Sequence, residues 1–148
     1  MELASFLPYR FSVLTNDISK SIASIYSKRF HISIQEWRII ANLGDRQPLS
    51  ANEIGAHVNL DKVQISRALN KLIDKGLVLR TLDKVDKRKS SLRLSRKGHR
   101  LYEKIVPIAL ERERQLLAAL NRQEQAQLNR ILDKLEQRVR ALPDINPE

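Results

Sequence analysis

Residues 50–76 read SANEIGAHVNLDKVQISRALNKLIDKG, and two helix signatures stand in them with almost nothing between. Ser50 followed by Glu53 is a capping-box pattern, and it heads a short helix carrying Ile54 and Val58. The chain turns through Asn59 and Leu60. Asp61 is then placed as the N-cap of a second helix, whose stripe is Ile65, Leu69 and Leu72 with Ala68 and Ile73, and Gly76 is positioned to stop it. Two helices joined by so short a turn predict a helix-turn-helix.

Working outward from that unit, the segment after Gly76 changes period. Leu77 to Leu82 and Ser91 to Leu94 are short β-compatible runs separated by a polar stretch, Asp83 to Ser90, which predicts a hairpin with a charged tip. Upstream, Ser33 and Glu36 form another capping-box pattern, opening a helix with Trp37, Ile40 and Leu43 that Gly44 is expected to end. From Phe6 to Phe30, Val13, Leu14, Ile18, Ile22 and Ile25 recur at three- and four-residue steps along a long first helix. Downstream, Ser95 caps a helix to about Leu120, which Pro107 is expected to bend or divide. Asn121 and Glu124 open a last helix striped by Leu128, Ile131, Leu132, Leu135 and Val139.

The charge is unevenly distributed. The 148 residues carry 27 Lys plus Arg against 17 Asp plus Glu, with a formal charge of +10. Residues 1–48, 49–100 and 101–148 contribute +2, +8 and 0, so the excess coincides with the helix-turn-helix and hairpin. Such a basic centre between neutral ends points to a polyanion-binding module, since Lys and Arg replace the counterions condensed on nucleic acid. A merely solubilising surface would spread its charge more evenly.

In a helix-turn-helix the second helix enters the major groove. With its apolar stripe turned inward, Lys62, Gln64, Ser66, Arg67, Asn70 and Lys71 remain on other faces. Gln bridges adenine N6 and N7, Arg bridges guanine O6 and N7, and Ser serves phosphate or base, so Gln64, Arg67 and Ser66 are the leading readers of double-stranded DNA. A solvated helix face is the alternative for these residues taken alone. The hairpin adds weight: between Arg80 and Arg100 nine basic residues face only Asp83 and Asp86. At its tip Asp86 stands two residues before Arg88, where it could aim the guanidinium into the minor groove; a local turn ion pair is the plainer reading.

Helix, helix, helix-turn-helix, hairpin, long helix, long helix: this order resembles the MarR family of winged-helix transcriptional regulators across essentially the whole chain. The residues that carry the resemblance are Glu36-Trp37-Arg38, Ser50-Ala51-Asn52-Glu53-Ile54-Gly55, Asp61 to Arg67, Leu69 and Leu72 with Gly76-Leu77, Asp86-Lys87-Arg88-Lys89-Ser90, and Leu94-Ser95 with Gly98. The resemblance implies a mainly α fold with a small β-hairpin wing. Its winged helix-turn-helix occupies 34–98, and helices at 1–33 and 99–148 dimerise, all within one domain. It implies further DNA contacts at Ser50 and Asn52 and at Lys87, Arg88 and Lys89, with Asp86 stabilising the wing. A homodimer would set two reading helices on an imperfect palindrome, with half-site centres about 34 Å apart or a multiple of it. A monomer whose terminal stripes pack on its own core is the alternative.

Six of the seven aromatic residues lie in the first 37 positions, with Arg10 among them. An aromatic cleft holding one guanidinium would suit a small aromatic carboxylate, although core and interface packing also accounts for the rings. The opening Phe6 to Leu14, Glu36-Trp37-Arg38 and Ile105 to Glu111 are similar to the MarR subgroup controlling hydroxycinnamate catabolism. That likeness implies a repressor released by a hydroxycinnamate or its CoA thioester, with Arg10, Asn16, Tyr26, Trp37 and Arg38 as effector residues and Lys28 and Arg29 for a thioester's phosphates. An effector-independent architectural or antitoxin-like DNA binder is the rival reading.

An enzyme is not expected. His31, His57 and His99 are widely spaced, Cys is absent, and neither a glycine-rich phosphate loop nor a nucleophile elbow is present. No catalytic residue, cofactor or metal site is therefore assigned. The lack of Cys, of a basic leader and of a long apolar run leads us to expect a cytoplasmic protein that does not enter the membrane.

Overall fold

In the computed structural model the described residues are 2–58, 60–82 and 90–143, and they divide into two compact units, 1–109 and 110–148. The first contains helices α1 (Leu7–Phe30), α2 (Ile34–Asp45), α3 (Ala51–Val58) and α4 (Lys62–Asp74), strands β1 (Val78–Leu82) and β2 (Ser90–Leu94), and the start of α5 (Arg96–Leu117). The second contains the end of α5 and α6 (Arg122–Arg140). The fold is thus mainly α with one antiparallel hairpin.

Local side-chain chemistry sets the helix starts. Ser33 with Glu36, Ser50 with Glu53, Asp61 with Gln64 and Asn121 with Glu124 each make both bonds of a capping box, satisfying amides that a first helical turn leaves without partners. At the end of α4, Gly76 adopts φ +67°, its amide donates to the Ile73 carbonyl at 2.8 Å, and the Leu77 amide reaches the Leu72 carbonyl at 2.9 Å. This is a Schellman stop, and the left-handed turn that it needs is one that glycine adopts without a Cβ clash. Leu72 and Leu77, the residues the motif brings together, are both buried.

The hairpin pairs Val78 with Leu94 through Leu82 with Ser90, and Leu49 adds a bridge to Leu92 through bonds of 3.1 and 2.8 Å. One core runs beneath these elements. It holds Ile39, Ile40 and Leu43 of α2, Ile54 and Val58 of α3, and the α4 stripe Ile65, Ala68, Leu69 and Leu72. Leu92 and Leu94 close it from β2, and Tyr26, Ile32 and Ile105 enter it from outside 34–98.

Two boundaries differ from expectation. Gly44 does not end α2 but lies within it, because the Tyr102 ring occupies the space where a Cβ would stand. Pro107 does not divide α5, which continues through it to Leu117, three residues short of the expected end. In the second unit, Gln125 donates to the carbonyls of Leu117 and Leu120, both at 3.0 Å, which closes the turn before α6.

Candidate nucleic-acid interface

With Ile65, Ala68, Leu69 and Leu72 buried, the opposite ridge of α4 follows from its 3.6-residue turn as Val63, Arg67, Asn70 and Asp74, and all four are exposed. A concavity flanks the ridge on each side. One, of about 360 Å³, brings the predicted residues Asn52, Lys62 and Ser66 together with Arg80 of β1. The other, of about 180 Å³, is lined by Gln64, Arg67 and Lys71 against Ser33 and Gln35 at the head of α2. A helix ridge between two basic-edged grooves is the shape that a major groove and its bordering phosphates require.

Gln64 is placed differently from its predicted role. Its Oε1 accepts from the Asp61 amide at 3.2 Å while its own amide donates to Asp61 Oδ1 at 2.8 Å. A bidentate pair with adenine needs the side-chain oxygen and nitrogen together, so a Gln64 that reads a base that way shares its Oε1 between the capping box and the adenine. Ser50 is likewise engaged, its hydroxyl accepting from the Glu53 amide at 3.2 Å. The Ser50 amide, and then its hydroxyl, hold the Glu53 carboxyl below its ordinary pKa. By contrast Asn52, Lys62, Ser66, Arg67, Asn70 and Lys71 are exposed. The predicted wing residues Asp86, Lys87, Arg88 and Lys89 lie outside the described residues.

Val63 was not among the expected readers, yet it is 58% exposed near the leading end of the ridge. Its position one residue before Gln64, out of register with the Ile65 stripe, is a sequence signal that an apolar residue faces outward. Arg80, counted from the sequence only as part of the basic hairpin segment, is brought by β1 beside Asn52, Lys62 and Ser66.

A buried ion pair supports the reading helix from below. Lys75 Nζ donates to Glu36 Oε1 at 2.8 Å and to the His31 carbonyl at 2.9 Å, while the Ser33 amide donates to Glu36 Oε2 at 2.7 Å. Burial raises the Glu36 pKa, but the bonds from Lys75 and Ser33 outweigh it and hold the carboxyl below its ordinary value. The head of α2 is thereby tied to the tail of α4.

The expected effector residues are dispersed. Tyr26 is buried, with its hydroxyl pKa pushed up to about 12 by desolvation, and its ring lies 5.8 Å from that of Trp37. Trp37 in turn stacks on Tyr102 at 6.2 Å, and Arg38 donates to Ser19 Oγ at 3.4 Å. Arg10 and Asn16 lie on the exposed first half of α1. Arg10 precedes Tyr26 by sixteen positions, about 24 Å along one helix, so the five do not surround a single cavity within this chain. Lys28 and Arg29 are exposed at the end of α1, where Arg29 lies over the Phe30 ring.

Among the described residues, no group of three His, Cys, Asp or Glu is placed to hold a metal ion, and no helix is long and apolar enough to cross a membrane. Comparison with known proteins points to regulators. The MarR family model matches residues 32–89. The HTH-type transcriptional regulator BilQ of Clostridium symbiosum is 30% identical over 104 residues, 70% of this chain and 72% of that protein. Among solved structures, a MarR/EmrR family transcriptional regulator from Acinetobacter sp. ADP1 superposes with a TM-score of 0.86 at 30% identity, covering 96% of this chain and all of that one. The S. aureus MepR–DNA complex shares the fold, with a TM-score of 0.81 at 23% identity over 90% of this chain and 98% of that chain.

Proposed function

This chain belongs to the MarR family of DNA-binding transcriptional regulators, and on that premise we propose that it is a homodimeric repressor released by a small aromatic carboxylate or its CoA thioester. The observation that carries the DNA side is the exposed Val63–Arg67–Asn70 ridge on a helix fastened at both ends, by the Asp61 box and by Gly76. A preset ridge loses little freedom on docking, so its contacts count toward discrimination between base pairs. Arg67 is the residue to bridge a guanine. Lys62, Ser66, Asn70 and Lys71, with Asn52 and Arg80, hold phosphates or base edges on either side, and Lys87, Arg88 and Lys89, steadied by Asp86, take the neighbouring minor groove. Ser50 contributes by holding the head of α3.

Exposed apolar side chains support the dimer. Leu7, Tyr9, Phe11, Val13 and Leu14 of α1 are each more than 40% exposed, and Ile131, Leu135 and Val139 of α6 are 40–67% exposed. Each such side chain is worth about 1.5–3 kcal/mol if fully buried, which makes a second copy the natural cover. A dimer also accommodates the distance of Arg10 from the other effector residues: Arg10 from one subunit can meet Trp37 and Arg38 of another, whereas within one chain it stands about 24 Å along α1 from Tyr26.

The experiment is operator selection from a random duplex pool, followed by binding at fixed salt with and without p-coumarate, ferulate and their CoA thioesters. We expect an imperfect palindrome, bound by two chains and released by one of these compounds. The packed Tyr26–Trp37–Tyr102 cluster favours the rival reading of an effector-independent DNA binder, and selective binding unchanged by every compound would establish it. Equal binding to all sequences would overturn the reader assignments.

A further inference from the structure

One side chain ties the connection between α2 and α3 to the base of the hairpin, and the tie depends on a proton. Gln47 Oε1 accepts from the Leu94 amide at the end of β2 at 2.9 Å, and Gln47 Nε2 stands 3.0 Å from His99 Nε2 near the start of α5. The Leu94 amide fixes which way round Gln47 lies, because only the side-chain oxygen can accept from an N–H. Gln47 Nε2 is therefore the donor toward His99. His99 Nε2 must offer its lone pair, which places the ring proton on Nδ1 and leaves the imidazole neutral.

A protonated imidazole carries N–H on both nitrogens, so two donors then face each other across the bridge. Flipping the ring restores nothing, since Nδ1 is a donor as well. Turning Gln47 over brings its oxygen to the imidazolium only by withdrawing it from the amide of Leu94, a residue 4% exposed. By either route one bond is lost. His99 is half-buried and lines a concavity of about 750 Å³, through which protons reach it. Arg93 of β2 and Arg96 of α5 line the same concavity, β1 contributes the neutral Leu79 and Thr81, and no carboxylate is among the described residues around it. On the α2–α3 connection Asp45 is paired with Arg46 at 3.2 Å, and along α5 Arg100 follows His99 while Glu103 stands one turn on.

The tie matters for what it holds. Two residues after Gln47, Leu49 bridges to Leu92 of β2, and Ser50 then caps α3, which carries Asn52 to the concavity beside the reading helix. Gln47 thus clamps the entry to α3 onto both the strand that returns from the hairpin tip and the helix that follows it. Opening the clamp restores freedom that docking on DNA must remove again, at a cost to the bound state.

We propose that Gln47 and His99 form a proton-sensitive latch that positions α3 against the hairpin, closed while His99 is neutral and open once it is protonated, so that operator selectivity falls on acidification. Imidazole is the side chain whose ordinary titration lies between pH 5 and pH 8. The latch rests on the chain reading a DNA operator and is independent of any aromatic effector.

Two measurements on the full chain test it. In the free protein, nitrogen-15 NMR between pH 8 and pH 5.5 should show the Gln47 side-chain amide signals moving in step with the His99 ring. With the selected operator and a random duplex at fixed salt, the ratio of the two affinities should fall about fivefold per reading head over the same range, the worth of one hydrogen bond. In H99Q the new amide oxygen accepts from Gln47 at either pH, so the ratio should hold within about twofold. In Q47E one carboxylate oxygen keeps the Leu94 amide and the other accepts from the imidazolium, so the ratio should not fall at all. Thermal midpoints at pH 8 check that both variants fold. The proposal is overturned if the Gln47 amide ignores the titration of His99, or if H99Q and Q47E lose selectivity as far as the wild type does. It is overturned too if both wild-type affinities rise together at a constant ratio, which would make the added charge only an attractor of phosphates. Failure to select any operator would overturn the DNA reading instead, and the NMR titration would still decide on the latch.

Discussion

Replacing Lys75 by Met removes the ammonium from beneath the reading helix while keeping most of the side chain's apolar bulk. Glu36 is then left with its side chain 3% exposed and no countercharge, although the Ser33 amide still donates to it. Breaking a buried pair from one side costs about 3–5 kcal/mol, and because the Lys75 side chain is 37% exposed, water softens the loss toward the lower figure, about 3 kcal/mol. For a chain of 148 residues that is about 6–12 °C in the thermal midpoint. The pH dependence carries the sharper test. In the wild type the Glu36 pKa is lowered by folding, so its stabilisation is complete above the ordinary carboxylate pKa and is lost as pH falls through the lowered folded value. In K75M, burial without the ammonium raises that pKa. The penalty is then full above the raised value and shrinks as acid protonates the carboxyl. Urea denaturation at pH 7 and pH 5, at one protein concentration, should show a large deficit that narrows on acidification, and K75M/E36Q should recover more than half of it. A loss below about 1 kcal/mol at pH 7, or an equal loss at both pH values, would refute the claim that this pair bears on stability as a buried ion pair.

Val63→Ala removes two γ-methyls, and with one of them buried against a thymine, worth about 0.8 kcal/mol, binding to a thymine-bearing operator should weaken by about fourfold per half-site. Replacing thymines by uracil one at a time removes the same contact from the DNA side. V63A should therefore be insensitive at the position where the wild type is sensitive, and sensitivity in both proteins would detach Val63 from base reading. Gln64→Glu preserves the capping-box acceptor, so its unfolding midpoint should match the wild type while affinity falls evenly across operator variants. A change confined to one base pair would show that Gln64 reads that pair. Gly98→Ala should cost about 2–3 kcal/mol in denaturant titration, because the new Cβ would collide with the Leu77 carbonyl and press on Leu94; a near-neutral result would mean that the α5–hairpin junction yields easily.

What could be read from the chain beforehand was what neighbouring residues decide among themselves. Ser33, Ser50 and Asn121 each reach only three residues to a glutamate, and the α4 stripe needs only helical periodicity, so the helices and the inward face were legible. The two short β-compatible runs of the hairpin were legible for the same reason. Gly44 was misread because glycine at a helix end and glycine under a ring look alike in sequence, and the ring, Tyr102, arrives from α5. For Gln64 two valid rules compete, since an outward-facing amide can serve a base or its own helix, and sequence alone does not choose between them. The Glu36–Lys75 pair spans 39 positions, and neither residue signals the other.

The Schellman turn at Gly76 has a consequence for how such a reading head can be altered. It places Leu77 in the same core as Leu72, and the Gly76 carbonyl accepts from Ser95 Oγ at 2.7 Å, so helix α4, the strands and the first turn of α5 are fastened at one knot. Side chains on the outer ridge take no part in that knot. Val63, Arg67 and Asn70 can therefore be exchanged as a set, as letters on a fixed type block, and new target sequences can be sought by randomising those three positions without redesigning the head that presents them.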